Sequence, residues 1–496
     1  MRRIEADIKN EKGPLNRFFS DCVGAGRAGE MLRKTAVDQM EEVQKGCGFR
    51  YLRFHGLFAE DMGVYQKDEQ GNAVYNWQYV DQAYDAILDS GMKPFVELSF
   101  MPHDMASGTQ EVFWWKANVT PPIAMDDWYD LVHAFTIHVT ERYGEDEVKS
   151  WRFEVWNEPN HPAFFSEGLK EYLELYDAAV RGVKDVCEMY LVGGPATAGC
   201  AWIPEFLEHC RENKVPVDFV TTHTYGVRGD FDQDGKKILY LMEEKDCIRD
   251  SVKAVYDQVK KSAFPDIPIY FTEWSASYSS RDAIHDHYIE ASYILYHLKQ
   301  VEGYVDAMSY WTFTDVFEEV GIGPEPFHGG FGLMNLQSYK KPAYHAYWML
   351  NQLGKTELKQ EDSDCYVCKN EDGDIQILWW EYELPKQDAC NNEYFKRELP
   401  LQSSNKIKIC LKNLAMGDYH VSLFQTGYGV HDAYTEYLHR NKTVLTRNEE
   451  NQIREKTQET PVSENTVSVS DNGIFEMELS MRKYDCFLLL LKKMKS

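Results

Sequence analysis

Between about residue 17 and residue 350, short apolar runs rich in β-forming residues alternate with longer segments whose apolar residues recur at three and four positions. This alternation is typical of strand–helix units arranged around a parallel sheet. The chain contains eight such runs, which begin at Phe18, Arg50, Pro94, Arg152, Tyr190, Asp218, Pro268 and Val305. Eight consecutive units predict a fold of the α/β class, a closed (β/α)8 TIM barrel.

The helical rhythm stops after about residue 354. Strand-like runs separated by turns follow, in the order DCYVCKN, DIQILWWEYEL, NKIKICLKNL, DYHVSLFQTG, NGIFEMELSM and YDCFLLLLKK. This pattern predicts a C-terminal β-sandwich accessory domain. We expect the catalytic barrel to span residues 15–350 and the sandwich residues 351–496, with a further strand from residues 1–14. A helix is expected from about Thr446 to Thr460, because Thr446 and Glu449 have capping-box spacing.

Charge and cysteine content limit the partners and the compartment. The chain has 53 basic and 80 acidic residues, a formal charge of -27, which disfavours binding to nucleic acid and to anionic membranes. The first residues lack the apolar run of a secretion signal, and no apolar stretch is long enough to cross a bilayer. Eleven scattered cysteines indicate reduced thiols, and the lone CxxC of Cys365 and Cys368 is interpreted as strand residues. We therefore expect a cytoplasmic protein.

Polar residues close several of the eight apolar runs. In (β/α)8 barrels the chemistry lies at the carboxyl ends of the strands, where buried polar groups need partners. The polar or aromatic residues at these ends are His55, Glu97, Asn157, Glu158, His223, Tyr225, Glu273 and Trp311. This set predicts a functional site at that end of the barrel.

Two of these strand-end residues are glutamates, Glu158 in WNEP and Glu273 in FTEWS. Retaining glycoside hydrolysis needs two carboxyl groups about 5 to 5.5 Å apart, one protonated and one ionised. Either glutamate alone fits a salt bridge at the barrel mouth equally well, but together they favour catalysis. Apolar neighbours such as Trp156 would raise the pKa of Glu158, as an acid requires. The candidates to hold Glu273 ionised are Arg53, His55 and Tyr278.

Aromatic side chains are the expected platforms for sugar rings, whose C–H faces stack on them. The candidates are Phe113, Trp114 and Trp115, in the loop after the third run, and Trp311. Most of the 12 tryptophans and 25 phenylalanines must belong to the core. Phe113 and Trp311 are therefore favoured over the two loop tryptophans.

Five motifs in order carry a family resemblance: RFHG from Arg53, EVWNEPN from Glu154, THTYG from Thr222, FTEWS from Phe271 and SYWTFTDVFEE from Ser309. They resemble glycoside hydrolase family 39, which contains β-xylosidases and α-L-iduronidases. PFHGGFGL from Pro326 and KPAYHAYWML from Lys341 resemble the bacterial β-xylosidase branch. NEP alone is shared by many barrel glycosidases, whereas the ordered set is specific and covers nearly the whole chain.

The resemblance implies an exo-acting β-xylosidase that releases D-xylose from short β-1,4-xylo-oligosaccharides by double displacement. No cofactor and no metal are expected, because the histidines are dispersed and a two-carboxylate mechanism needs no ion. The resemblance implies Glu158 as acid/base, Glu273 as nucleophile, and a sugar-binding set of His55, Asn157, Tyr225, Tyr278 and Glu319. His223 either contacts sugar or supports Glu158 or Tyr225, and Arg53 is a supporting residue. Glu318 competes with Glu319 for the pocket, because adjacent residues point to different sides. Asp315 is expected to act as a cap or to brace a loop, and a homo-oligomer such as a tetramer is expected.

Two alternatives remain open. The substrate of a retaining enzyme could be another sugar, an α-L-arabinoside or an α-L-iduronide, but an iduronidase needs a cation to pair with the sugar carboxylate. The pocket motifs contain no spare arginine or lysine. A carbohydrate-binding protein without catalysis would have no use for two carboxyl groups on opposing strands. The sandwich could bind sugar or only support the barrel.

Overall fold

A computed structural model describes residues 1–399 and 405–495 of the chain. Its centre is a closed barrel of eight parallel strands that follow one another around the barrel in chain order. The barrel strands are Cys22–Arg27, Tyr51–His55, Lys93–Leu98, Arg152–Val155, Leu191–Thr197, Phe219–Tyr225, Ile269–Ser275 and Ala307–Tyr310. Each predicted run overlaps one of these strands, so the predicted fold class is confirmed.

Amphipathic helices surround the barrel. They are Lys34–Cys47, Gln78–Asp89, Met125–Tyr143, the short Glu145–Val148, Leu169–Lys184, Ile203–Asn213, Cys247–Lys261, Ile289–Val301 and Pro342–Asn351. Leu169–Lys184 buries Tyr172, Leu175, Tyr176 and Ala179, a helical spacing that turns one face to the barrel. Short 3-10 turns lie at Phe18–Ser20, Ala28–Glu30, Glu60–Met62, Ala198–Cys200 and Ala283–Asp286. None of the helices in the described residues is both long and apolar enough to cross a membrane.

The amino end of the barrel is plugged by one cation. The guanidinium of Arg152 lies 4.0 Å from the ring centre of Tyr51 and 4.2 Å from that of Tyr270. It also forms an ion pair with Asp21. Such stacking between rings, with a carboxylate as partner, satisfies a largely desolvated guanidinium. Because this end is filled, an open cavity in the described barrel is expected at the carboxyl ends of the strands.

Two sheets form the C-terminal sandwich. The larger has seven strands, in spatial order Glu11–Pro14, Thr356–Leu358, Cys365–Lys369, Ile375–Trp380, Cys486–Lys493, Gly417–Thr426 and Ser463–Val469. The smaller has three, Arg2–Asp7, Asn405–Lys412 and Phe475–Met481. Ile4 and Ile409 of the smaller sheet pack with Trp379 and Leu489 of the larger in one apolar core. The residues before the barrel thus supply one strand to each sheet.

Three helices belong to the C-terminal part, Asn391–Tyr394, Ala433–His439 and Arg447–Lys456. The last begins with the predicted capping box, in which Thr446 and Glu449 satisfy each other's backbone N–H groups. Cys365 and Cys368 are buried strand residues whose side chains belong to different apolar clusters. The interpretation of this CxxC as strand residues is confirmed.

Three hairpins extend from the barrel loops: Tyr65–Lys67 with Ala73–Tyr75, Glu111–Val112 with Ala117–Asn118, and Val227–Phe231 with Lys237–Leu241. The third follows directly on the sixth barrel strand, which ends at Tyr225. This hairpin therefore lies beside the carboxyl end of the barrel.

Candidate active site

A cavity of about 560 Å³ opens at the carboxyl end of the barrel. Its lining includes His55, Asn157, Glu158, Tyr225, Glu273, Trp311 and Glu319. The predicted strand-end residues from five different strands thus converge on one space, because parallel strands of a closed barrel end at the same rim.

Glu158 and Glu273 face each other in this cavity. An oxygen of each carboxyl group lies within 4.8 Å of one on the other, with the nearest His223 nitrogen in the same group. Inverting glycosidases keep their carboxyl groups about 6.5 to 9.5 Å apart to admit water, whereas retaining ones keep them about 5 to 5.5 Å apart. The short separation fits the retaining geometry.

The chain turns sharply where it presents Glu158. Strand Arg152–Val155 ends, and Trp156 and Glu158 then adopt left-handed backbone conformations with φ of 71° and 45°. The N–H of Glu158 donates to the carbonyl of Ala196 at 2.8 Å, which fixes the turn to the next strand. Non-glycine residues in this region are strained by about 1 to 3 kcal/mol and are concentrated at functional sites.

Glu158 has the protonation behaviour of an acid catalyst. Burial raises its pKa to about 7. Oε1 of Glu158 lies 2.8 Å from Nδ1 of His223, whose pKa burial lowers to about 4. His223 is therefore a neutral partner near pH 7 and leaves the proton on Glu158. Of the two roles expected of His223, this contact favours the one that supports Glu158.

Glu273 is held by strong donors. Nη1 of Arg53 lies 2.9 Å from its Oε1, and the hydroxyl of Tyr225 donates to its Oε2 at 2.7 Å. Nε2 of His55 lies 3.5 Å from Oε1. These donors hold the Glu273 carboxyl group in a fixed orientation. Tyr278, a predicted partner of Glu273, instead packs edge-on against Tyr225, with ring centres 6.2 Å apart, because Tyr225 occupies the nearer position.

Arg53 is the centre of a buried ion network. Its side chain is fully buried and lies 2.7 Å from Glu97, 2.5 Å from Glu154 and 2.9 Å from Glu273. It also donates to Oδ1 of Asn157 at 3.0 Å, which leaves the amide N–H groups of Asn157 for a ligand. Glu154 lies inside the fourth strand, where a carboxylate needs such a partner. An acidic residue inside an apolar run was the sequence signal that could have identified Glu154 as a member of this network.

His55 and Trp311 form a wall of the cavity. Nδ1 of His55 lies 2.7 Å from Glu97, and its ring centre lies 4.6 Å from that of Trp311. Burial alone would raise the pKa of Glu97, but Arg53 and His55 together lower it below the ordinary value. A charged Glu97 fixes the orientation of the imidazole, and Nε2 is directed to the cavity side.

Glu319, rather than Glu318, faces the cavity. Its Oε1 lies 3.8 Å from Nε2 of His55. Glu318 points away and binds Arg27 at 2.9 Å and Arg33 at 2.6 Å. Burial, with the nearby Glu273, raises the pKa of Glu319 well above its usual value. A neutral Glu319 would donate a hydrogen bond to a sugar hydroxyl.

The sequence comparison agrees with this geometry. The profile of glycosyl hydrolases family 39 matches residues 2–464. The chain belongs to glycosyl hydrolase family 39. It is 41% identical over 395 residues to a β-xylosidase of Geobacillus stearothermophilus, covering 77% of this chain and 78% of that one.

Solved structures of family 39 have the same fold. A monomeric β-xylosidase from Caulobacter crescentus superimposes with a TM-score of 0.97 at 39% identity, covering all of both chains. A family 39 enzyme from Xanthomonas axonopodis pv. citri gives a TM-score of 0.97 at 38% identity, covering 99% of this chain and 97% of that one. The chain is accordingly a glycosidase.

The aromatic platforms of this family 39 chain differ from those predicted. Trp311 lines the cavity as expected. Phe113 instead lies behind His55, nearly parallel to it at 6.1 Å, and stacks on Trp115 at 5.2 Å. Trp114 is 60% exposed. Phe113 has a left-handed backbone, with φ of 64°, at this point of the loop.

Loops supply cavity residues that the family 39 motifs do not assign to the pocket. Phe164 and Gly199 line the cavity beside Glu158, and Phe331 lines it from the loop after the eighth strand. Lys237 lines it from the hairpin after the sixth strand, so the cavity does contain a cation. Asp315 accepts from the N–H of Gly332 at 2.6 Å, as a loop brace would.

The donor atoms of Glu158, His223 and Glu273 lie close enough together to hold one metal ion. Two carboxylates and an imidazole are a donor set that suits Zn²⁺. The same atoms are the proposed acid and nucleophile of this family 39 chain. An ion bound there would therefore occupy both carboxyl groups and block the reaction.

Proposed function

We propose that the chain is a retaining, exo-acting β-xylosidase that removes D-xylose from the ends of short β-1,4-xylo-oligosaccharides. The observation that carries the proposal is the pair Glu158 and Glu273, whose carboxyl oxygens lie within 4.8 Å of each other. They face a cavity at the carboxyl end of a barrel whose amino end is filled by Arg152. The 41% identity to a β-xylosidase supports the choice of sugar.

The first step is glycosylation of the enzyme. Glu158, with a pKa raised by burial to about 7, donates its proton to the glycosidic oxygen. The carboxylate of Glu273, oriented by Arg53 and Tyr225, attacks the anomeric carbon from the opposite face. The leaving group departs as a neutral alcohol, and the xylose is held as an ester of Glu273.

The second step releases the sugar. Glu158 is now ionised and accepts a proton from water, which attacks the anomeric carbon and displaces Glu273. Two inversions give net retention. The amide of Asn157 is placed to bind the 2-hydroxyl, a contact that strengthens as positive charge develops on the sugar ring.

Exo action is favoured by the shape of the cavity. Arg53, His55 and Trp311 close its inner end and are at most 2% exposed. A chain end can be bound in such a space, whereas a continuous xylan chain could not pass through it.

The decisive experiment measures release of p-nitrophenol from p-nitrophenyl β-D-xyloside by wild type, Glu158→Ala and Glu273→Ala. Loss of the nucleophile or of the acid/base should lower turnover by about 10²-fold or more. With azide, Glu158→Ala should form β-xylosyl azide and Glu273→Ala α-xylosyl azide. Glu318→Ala is the matched control, because Glu318 points away from the cavity.

Two outcomes would contradict the proposal. If wild type leaves the xyloside intact, the sugar is wrong, and arabinosides and iduronides are tested next. If turnover survives in both alanine variants, the site is wrong. The predicted homo-oligomer and cytoplasmic location stay predictions, and light scattering on the purified protein tests the first of them.

A further inference from the structure

The cavity has a closed end and an open mouth. At the closed end Arg53 is fully buried and Trp311 is 2% exposed, whereas Tyr278 at the mouth is 39% exposed. The sugar to be cleaved must occupy the closed end, next to Glu273. The leaving group is then directed past Glu158 to the mouth, because the acid catalyst contacts the leaving oxygen.

A lysine stands at this mouth. Lys237 is exposed, begins the second strand of the hairpin Val227–Phe231 with Lys237–Leu241, and lines the cavity. Its Nζ lies 4.8 Å from the ring centre of Tyr278. A Cβ at Gly229 would lie 3.3 Å from Cε of Lys237 and 3.5 Å from the hydroxyl of Tyr278, so the three residues form one contact. The aromatic face fixes the ammonium at the rim.

This lysine has no carboxylate partner. Among the described residues no carboxylate oxygen lies within 4.0 Å of its Nζ, although Glu158, Glu273 and Glu319 line the same cavity. The other hairpin cation, Arg228, is different, since it binds Glu243 at 3.1 Å. Of the lining residues that the structure describes, Lys237 is the one lysine or arginine. It is therefore free to pair with a ligand.

We infer that Lys237, seated on Tyr278, forms a leaving-group subsite that favours carboxylate-bearing leaving groups, such as xylo-oligosaccharides substituted with a uronic acid. The inference rests on the proposed function. A neutral xylo-oligosaccharide has no negative group to pair with the ammonium, whereas a uronate carboxylate would pair with the one lysine or arginine among the described lining residues. Because Lys237 is exposed, the gain is that of a surface ion pair and is screened by salt.

The test compares two aryl xylosides of nearly equal shape, 4-carboxyphenyl and 4-carbamoylphenyl β-D-xyloside, by the xylose that each releases. The measured quantity is the ratio of kcat/KM for the acidic to the neutral substrate. In Lys237→Met this ratio should fall about two- to fivefold from its wild-type value. Lys237→Arg should keep it, and so should Lys236→Met, the adjacent lysine outside the cavity lining. In 0.5 M NaCl the wild-type ratio should approach that of Lys237→Met.

Three results would overturn the inference. The first is an unchanged ratio in Lys237→Met, and the second is an equal loss on both substrates. The third is that wild type, but not Lys237→Met, cleaves a p-nitrophenyl β-glucuronide or α-L-iduronide faster than the xyloside. That result would place the carboxylate on the reacting sugar. Failure of the proposed function is distinct, because wild type would then leave the neutral xyloside uncleaved.

Discussion

The contact between Glu158 and His223 determines how activity should depend on pH. The pKa of Glu158 is raised by burial to about 7, and that of His223 is lowered by burial to about 4. Glycosylation needs Glu158 protonated, so kcat/KM for an unactivated aryl xyloside should fall as pH rises through about 7. His223 stays neutral between pH 5 and pH 9 and therefore adds no further change of kcat/KM with pH. The measurement is a profile of kcat/KM from pH 5 to 9.

Glu158→Gln is the control for this assignment. With a highly activated leaving group that needs no proton, such as 2,4-dinitrophenol, the variant should still be glycosylated and its kcat/KM should lose the alkaline decline. A decline near pH 7 that persists in Glu158→Gln would assign it to another group. If the decline of kcat/KM in wild type has its midpoint near pH 5 instead of pH 7, Glu158 has an ordinary carboxyl pKa.

At the residue scale, the sequence predicted the facing pair Glu158 and Glu273 better than the groups around it. Glu158 and Glu273 could be predicted because each closes an apolar run, and a closed barrel brings strand ends together. Of the groups around Glu273, Arg53 and His55 were predicted, but Tyr278 was named in place of Tyr225, since both tyrosines lie near the carboxyl ends of neighbouring strands. Only the folded chain shows that Tyr225 reaches Oε2.

The loop after the eighth strand is the element that carries Glu319, and one buried lysine anchors it. Nζ of Lys341 lies 2.7 Å from Asp286 and 3.2 Å from Asp315, and it donates to the carbonyl of Gly330 at 2.7 Å. Lys341 and Asp315 are fully buried, and Asp286 is 2% exposed. This ion network joins the loops after the seventh and eighth strands.

Lys341→Met should therefore destabilise the protein by about 3 to 5 kcal/mol, because two buried carboxylates lose their cation. It should also lower kcat/KM, since the loop that presents Glu319 is released. Lys340→Met is the matched neighbour. Its side chain is 5% exposed, but its partners Glu42 and Glu459 are 42% and 17% exposed and stay in contact with solvent, so the cost should be smaller, about 1 to 2 kcal/mol. Urea unfolding of both variants and of wild type measures the difference, and equal midpoints would refute the anchoring role.

At the element scale, the strands were predictable and the loops were not. An apolar run such as PIYFTEW has one favourable place, a strand buried on both faces, so Ile269–Ser275 follows from it. The hairpin that carries Lys237 gives a weaker signal, because its two strands are only five residues long and are partly exposed. Its contact with Tyr278, which is distant in sequence, is seen only in the folded chain.

At the scale of the whole molecule, the sandwich is continuous with the catalytic barrel. Leu378, Trp380 and Leu488 of the larger sheet belong to the same buried apolar cluster as the barrel helices. Asn391 donates to Asp282 at 2.8 Å, in the loop after the seventh strand. Phe327, in the loop after the eighth strand, packs against Tyr434 with ring centres 5.5 Å apart. The sandwich thus contacts both loops that complete the cavity.

We therefore expect a chain that ends at residue 354 to fail as an independent enzyme, although the barrel strands are all present. It would expose the helix faces that pack against Trp380 and leave strand Glu11–Pro14 without its neighbour Thr356–Leu358. Such a loss of buried apolar area costs about 25 cal/mol per Å² and also promotes aggregation. The truncated chain should be recovered in inclusion bodies or should bind a hydrophobic dye and release no p-nitrophenol.

A chain that ends at Lys493 is the control for shortening itself, because it keeps the last strand, Cys486–Lys493, and should match wild type. A soluble 1–354 chain with cooperative melting and wild-type kcat/KM would show instead that the sandwich is a separable appendage and that the loops hold their positions without it.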